Sequence, residues 1–253
     1  MTWDPTQYLR YDVERSQPTR DLIAAVGEYN PTDIVDLGCG TGNSTALLAS
    51  RWPDASLVGI DASPEMLGRA SQSGLMATWQ HADIAKWKPS HPVDLIFSNA
   101  TLHWLDHHNT LFPDLIASLS EGGMLAVQMP NNFSQPSHTL IRDIANQPKW
   151  INRLNDVVRS SPVAPPETYL EMLEPLVSFV RVWTTTYFHV LAGEHPVAQW
   201  TGGATLRPVI EALGNDAEQF ITEYANRLDA AYPIRPDGTT LLPFTRLFIL
   251  ARR

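Results

Sequence analysis

Cysteine is almost missing from this chain: Cys39 is the only one among 253 residues. No intramolecular disulfide can form, and a reducing compartment, the cytoplasm, is expected. Positive charge is also scarce. With 18 Lys and Arg against 27 Asp and Glu, the net charge is −9, which repels nucleic acid at long range. A small-molecule partner is expected instead. Long apolar runs are absent, since no stretch reaches the roughly 18 residues of a membrane span. The opening MTWDPTQYLRYDVERSQP carries charges throughout and lacks the apolar centre of a secretion signal. No internal repeat or low-complexity tract is visible.

What is present suffices for one sizeable core: 43% of residues are hydrophobic and 18% charged. A single domain over residues 1–253 is expected. Five short apolar runs recur in the first half: DIVDLG at 33–38, SLVGID at 56–61, ATWQHAD at 77–83, VDLIFSN at 93–99 and GMLAVQMP at 123–130. Segments of helical length alternate with them, among them NSTALLASRW and SPEMLGRASQSG. That alternation predicts an α/β fold, a Rossmann-like doubly wound sheet of seven strands, mostly parallel with an antiparallel last strand. The last two strands are FVRVWTTTYFHVL at 179–191 and FTRLFILAR at 244–252. An N-terminal helical lid (about 1–30) and helical cap insertions (about 131–178 and 193–243) are expected over the carboxyl ends of the strands, where open α/β sheets bind ligands.

The strongest motif is VDLGCGTGNST at 35–45, an apolar strand that runs into Gly38, Gly40 and Gly42 and opens a helix. Glycine serves there because the turn needs φ values closed to other residues and because a ligand must lie against bare backbone. Asn43, Ser44 and Thr45 are expected to cap the helix. A ligand-free tight turn is the alternative. Asp61 ends the second strand about 20 residues on, where an acid can bind both hydroxyls of a ribose. The cap of the next helix falls instead to Ser63 before Pro64. Asp83 at the end of the third strand is expected to accept from an adenine amine while Ile84 packs on the ring. Its alternative is to cap the following turn. The third glycine of a dinucleotide site is replaced by Asn43, which weakens the NAD reading.

With GID, HADI and DLIFSNATLHWL at their spacing, the glycine motif resembles the class I S-adenosylmethionine-dependent methyltransferases over about residues 30–130. WDPTQYLRYDVERSQP, PNNFSQPSH, WTTTYFH, TGGATLRP and FTRLFILARR extend the likeness nearly end to end to the trans-aconitate methyltransferases. What the resemblance implies is S-adenosylmethionine as cofactor and esterification of one carboxylate of trans-aconitate or a close tricarboxylate. The products are then the monomethyl ester and S-adenosylhomocysteine (SAH). The alternatives are a methyltransferase for another small acid or natural product, or a non-catalytic binding module.

A carboxylate, with a reference pKa of about 4, attacks a sulfonium methyl without a general base, so none is assigned. The work left to the protein is alignment and exclusion of water. Arginines should hold the spectator carboxylates. Tyr8, Tyr11 and Arg15 share one helical face. Tyr8 and Arg15 are assigned to the cofactor and Tyr11 to the substrate, although Arg15 can serve the carboxylate of either. A surface pair with a neighbouring acid is the alternative for Arg15; Arg207 and Arg246 are the remaining clamp candidates, with a solvated surface position and a structural role as their alternatives. Asn99, Leu102, His103 and Trp104 follow the fourth strand, with Asn99 and Leu102 beside the cofactor and His103 and Trp104 beside the substrate. Trp104 is expected to wall off water, or, like Leu102, to be a core residue. No metal is assigned to His103, His107 and His108. Cys39 is committed to the glycine turn rather than to nucleophilic chemistry.

Overall fold

The computed structural model describes residues 12–158, 161, 163–202 and 205–253, with side chains from Ser16 onward. The first half contains α1 (Asp12–Val26), β1 (Asp33–Leu37), α2 (Asn43–Arg51), β2 (Ser56–Asp61), α3 (Pro64–Ser71), β3 (Thr78–His81), β4 (Val93–Asn99), a 3-10 turn at Leu102–Trp104, α4 (His108–Ala117) and β5 (Leu119–Pro130). The second half contains α5 (Pro136–Ala145), α6 (Ile151–Leu154), α7 (Pro166–Leu173), β6 (Phe179–Ala192), α8 (Pro196–Gly202), α9 (Arg207–Leu213), α10 (Ala217–Ala231) and β7 (Thr239–Arg252).

All seven strands form one sheet in the order β3-β2-β1-β4-β5-β7-β6. β1 pairs in parallel with β2 and β4, β2 with β3, and β4 with β5, whereas β7 runs antiparallel to β5. The expected doubly wound sheet is therefore present. Its central strands read as apolar runs because both faces are covered; Leu95, Ile96, Phe97, Leu125, Ala126 and Val127 are all fully buried.

The third strand is shorter than expected, ending at His81 so that Asp83 follows it in the loop, and two strands begin early. β5 begins at Leu119 rather than at 123, because Leu119 pairs with Val93 before an irregularity that holds Gly122 at φ +73°. β7 begins at Thr239 rather than at 244. Pro243, which cannot donate to a ladder, lies inside this strand.

The chain divides into two compact units. One holds residues 11–130, 162–185 and 246–253; the other includes 131–161 and 186–245. In the first, α1 packs on α2 and β5 and buries Thr19, Leu22, Ile23 and Val26. From Thr19 onward this helix belongs to the sheet unit's core rather than to a lid. The first expected insertion also ends early: α7 returns to the sheet unit and packs on α4, where the Tyr169 hydroxyl meets the His108 ring at 2.7 Å. The second unit is built around α10, which packs on α5 and α8. There the Tyr224 hydroxyl donates to the Ser137 carbonyl at 2.7 Å and lies 3.1 Å from Thr201 Oγ1, while Trp150 meets Phe220 edge to face.

Candidate functional site

The glycine turn has the conformation its sequence demands. Gly38, Gly40 and Gly42 have φ of +76°, +55° and +89°, a region that side chains with a Cβ avoid. Their surroundings differ. A Cβ on Gly38 would lie 2.1 Å from Thr101 Cγ2, whereas one on Gly40 would meet nothing within 4 Å. Gly38 is thus a packing glycine against the turn after β4, and Gly40 presents bare backbone to open space.

The helix cap departs from expectation. Gly42 itself is the N-cap of α2, in a left-handed conformation without a side-chain cap. Ser44 and Thr45 donate their hydroxyls to Asp36 Oδ2 instead, both at 2.7 Å. These hydroxyls anchor the first turn of the helix to a fully buried carboxyl group on β1, and bonds to an ionised acceptor are the stronger kind. Burial pushes Asp36 up to about 6 against the pull of those two hydroxyls, and the nearby Asp61 charge adds to the rise. Its Oδ1 has no partner among the described residues.

Asp61 closes the turn from β2. Its Oδ2 accepts from Gly40 N–H at 2.9 Å and its Oδ1 from Ser63 N–H at 2.8 Å. Ser63, as expected, caps α3 through Met66 N–H, with Pro64 in the first turn. Asp83 Oδ1 accepts from Ala85 N–H at 3.0 Å and so does cap the following turn; its carboxylate is exposed, 3.7 Å from Lys86. Ile84 beside it is buried.

After β4 the chain makes a strained exit, with Ala100 at φ +52°. Thr101 Oγ1 lies 3.2 Å from both the Gly38 and Asn99 carbonyl oxygens, which binds this exit to the glycine turn. Asn99 pairs with Gln128 across β4 and β5, and its Oδ1 is buried with no partner among the described residues. Leu102 is fully buried and His103 nearly so, but Trp104 is 55% exposed. Trp104 is therefore not a core residue, and it offers a broad apolar face beside the His103 ring, 4.7 Å away. His108 accounts for the placement of Leu102: its Nε2–H donates to the Leu102 carbonyl at 2.9 Å while Nδ1 accepts from Tyr169.

Cys39 is buried, its thiol 3.8 Å from the Gly40 carbonyl. Burial first, then the Asp36 and Asp61 charges, push the thiol up to about 12, which removes it as a nucleophile. Arg246 is buried on β7, opposite Pro130 of β5. Arg207 stands in the second unit at the start of α9, well exposed and 2.9 Å from Glu211. Arg15 lies on α1, its side chain outside the described set, and Tyr8 and Tyr11 are outside the described residues altogether. Among the described residues no group of three or more His, Cys, Asp or Glu is arranged to hold a metal ion.

A methyltransferase domain family matches residues 34–123. Over nearly the full length, the chain is 43% identical to a trans-aconitate 2-methyltransferase of Klebsiella pneumoniae (strain 342), covering 99% of this chain and 98% of that one. It is 44% identical to the enzyme of the same name from Azoarcus sp. (strain BH72), covering 100% and 99%. The chain belongs to the trans-aconitate 2-methyltransferase family. Among solved structures, the plantazolicin methyltransferase BpumL in complex with SAH shares the fold, with a TM-score of 0.52 and 17% identity over 99% of this chain and 91% of that one.

The residues of this methyltransferase fit its cofactor. Gly40 faces open space, Asn99 keeps an unpartnered buried oxygen, and Asp61 has bound only backbone N–H groups, which leaves lone pairs for a diol. Sequence reasoning missed Asp36 and Gln128. Each is a polar residue inside an otherwise apolar strand, VDLG and AVQMP, and that interruption was the available signal.

Proposed function

We propose that the protein transfers a methyl group from S-adenosylmethionine to one carboxylate of trans-aconitate, giving the monomethyl ester and SAH. The observation that carries this reading is the end-to-end match to relatives of that name. S-adenosylmethionine supplies a sulfonium-bound methyl group. The turn of Gly38, Gly40 and Gly42 holds its methionine part, with Gly40 offering the bare backbone and the other two the turn's shape, Asp61 takes the ribose hydroxyls, and Asp83 and Ile84 take the adenine. Asp83 can do so with Oδ2, whose neighbour Lys86 is an exposed partner 3.7 Å away, while Oδ1 keeps the turn. Asn99 and Leu102 line the cofactor beside the methyl carbon, with Tyr8 and Arg15 assigned to the same ligand.

On the substrate side, Tyr11, His103, Trp104, Arg207 and Arg246 orient the acid and exclude water. The attacking group is already ionised at neutral pH, so alignment rather than proton transfer carries the rate. Neither acidic nor thiol groups of the turn compete as bases: Asp36 is sealed beneath it and Cys39 stays protonated. The single buried thiol suits the cytoplasm, and the acidic chain suits a small-molecule partner. Among the described residues no helix is long and apolar enough to cross a membrane.

The deciding experiment supplies S-adenosylmethionine with a panel of di- and tricarboxylates and measures SAH together with the mass of the ester. Preferred turnover of trans-aconitate is expected. Faster methylation of an unrelated acid, or none of any acid, would remove the reading.

A further inference from the structure

The strand order makes one line of the sheet's carboxyl edge. β3 leads to Asp83, β2 ends at Asp61, β1 runs into Gly38, β4 ends at Asn99, and beyond it β5 and β7 bring Gln128 and Arg246. Directly paired residues share a face of a sheet. Asn99 pairs with Gln128, Gln128 with Phe248, and Pro130 with Arg246, so Asn99, Gln128 and Arg246 lie on one face. With the cofactor assigned to the β3-to-β4 end, the acceptor falls to β5 and β7.

Gln128 is fully buried, and neither its Oε1 nor its Nε2 has a partner among the described residues. Asn99 Oδ1, directly across on β4, is in the same condition. Buried polar groups are nearly always bonded, and leaving one unmade is costly. A methionine would fill this place at similar volume without that cost. The amide is therefore retained at the expense of folding, and what it offers is a neutral donor on the same face as the buried Arg246, its diagonal neighbour across β5 and β7.

We propose that Gln128 is a specificity-determining residue of the acceptor site, its Nε2–H₂ donating to a spectator carboxylate. This rests on the carboxyl methylation reading above. Arg246 supplies the charge, and Gln128 fixes the orientation of the anion. Oε1 accepts from water that enters with the anion.

The test uses Gln128→Met and Gln128→Glu in the full chain. Steady-state KM for trans-aconitate, SAH affinity by calorimetry, and Tm are read for each. Loss of one bond to a charged group should raise KM roughly ten- to a hundredfold in Gln128→Met, with SAH affinity changed by no more than about twofold. The same variant should melt no lower than the wild type. Gln128→Glu should lose at least as much, because it sets an anion against an anion.

An unchanged KM in Gln128→Met overturns the assignment. So does a fall in Tm and SAH affinity that accompanies any KM change, since that is the mark of a structural amide. Should Gln128→Met fail to fold, Gln128→Glu decides on the same readings. A wild-type enzyme inactive on trans-aconitate removes the underlying reading and this proposal with it, whereas an active wild type with an unaffected Gln128→Met removes the Gln128 role alone.

Discussion

Asp61 holds the glycine turn and is the residue proposed to take the ribose, and its substitution should separate the two roles. It accepts from the Gly40 and Ser63 amides, so Asp61→Ala should destabilise the fold by about 1 to 3 kcal/mol in urea titration. SAH affinity by calorimetry should fall more than tenfold as well; affinity that survives would leave Asp61 as a turn residue only. Arg207 offers a cleaner experiment. Its ion pair with Glu211 is exposed on both sides, and such pairs contribute less than about 0.5 kcal/mol. Losing this pair should therefore cost Arg207→Ala little stability, and Tm read beside the kinetics separates a substrate contact from a structural one. We expect kcat/KM for trans-aconitate to fall ten- to a hundredfold, about 1.5 to 3 kcal/mol, with Arg207→Lys recovering only part. Wild-type kinetics in both variants would return Arg207 to the solvated surface and leave Arg246 as the clamp.

At the scale of elements, the turn after β4 depends on a chain of bonds that reaches across from α7. Ala164 N–H donates to the Tyr169 hydroxyl, the hydroxyl meets His108 Nδ1, and His108 Nε2–H donates to the Leu102 carbonyl. Burial pushes the phenol up to about 12, so it remains a donor at neutral pH. Tyr169→Phe strands the buried His108 ring nitrogen and the half-buried Ala164 N–H and should cost about 1 to 3 kcal/mol. In a double-mutant cycle with His108→Phe, a coupling of at least 0.5 kcal/mol is expected; additivity would mean that the two rings act separately. This chain shows why some of the site was legible in the sequence and some was not. Gly38, Asp61 and Ser63 announce themselves because turn conformation, strand end and helix cap are local demands on residue type. His108 and Tyr169 are 61 positions apart, and only the packing of α7 on α4 joins them. Ser44 and Thr45 looked like caps because helix starts are local, yet Gly42 takes the cap position and the two hydroxyls donate to Asp36 beneath them, a partner eight and nine positions back that residue type alone does not reveal. Gln128 is harder still, since what distinguishes it is that neither of its polar atoms has a partner among the described residues.

For the molecule as a whole, the Asp36 carboxyl makes stability depend on pH in an unusual sense. Its folded pKa is raised from 3.8 to about 6, chiefly by burial. Between those values the folded state holds a proton that the unfolded state has lost, so the contribution is full at low pH and vanishes as pH rises through about 6. Asn at this position cannot titrate. The stability of Asp36→Asn relative to wild type should therefore improve as pH rises from about 4 to 8, by at most roughly 3 kcal/mol. Urea melts across that range check it, and a difference that stays constant would show Asp36 titrating normally. Cys39 carries a further consequence for anyone wishing to watch this enzyme move. It is the single thiol in the chain, buried and held protonated far above neutral pH, and so is silent toward maleimides and other electrophilic dyes. A cysteine introduced at an exposed position such as Ser90 becomes the sole reactive handle. A fluorophore or spin label then attaches at one chosen point, and no native residue has to be removed first.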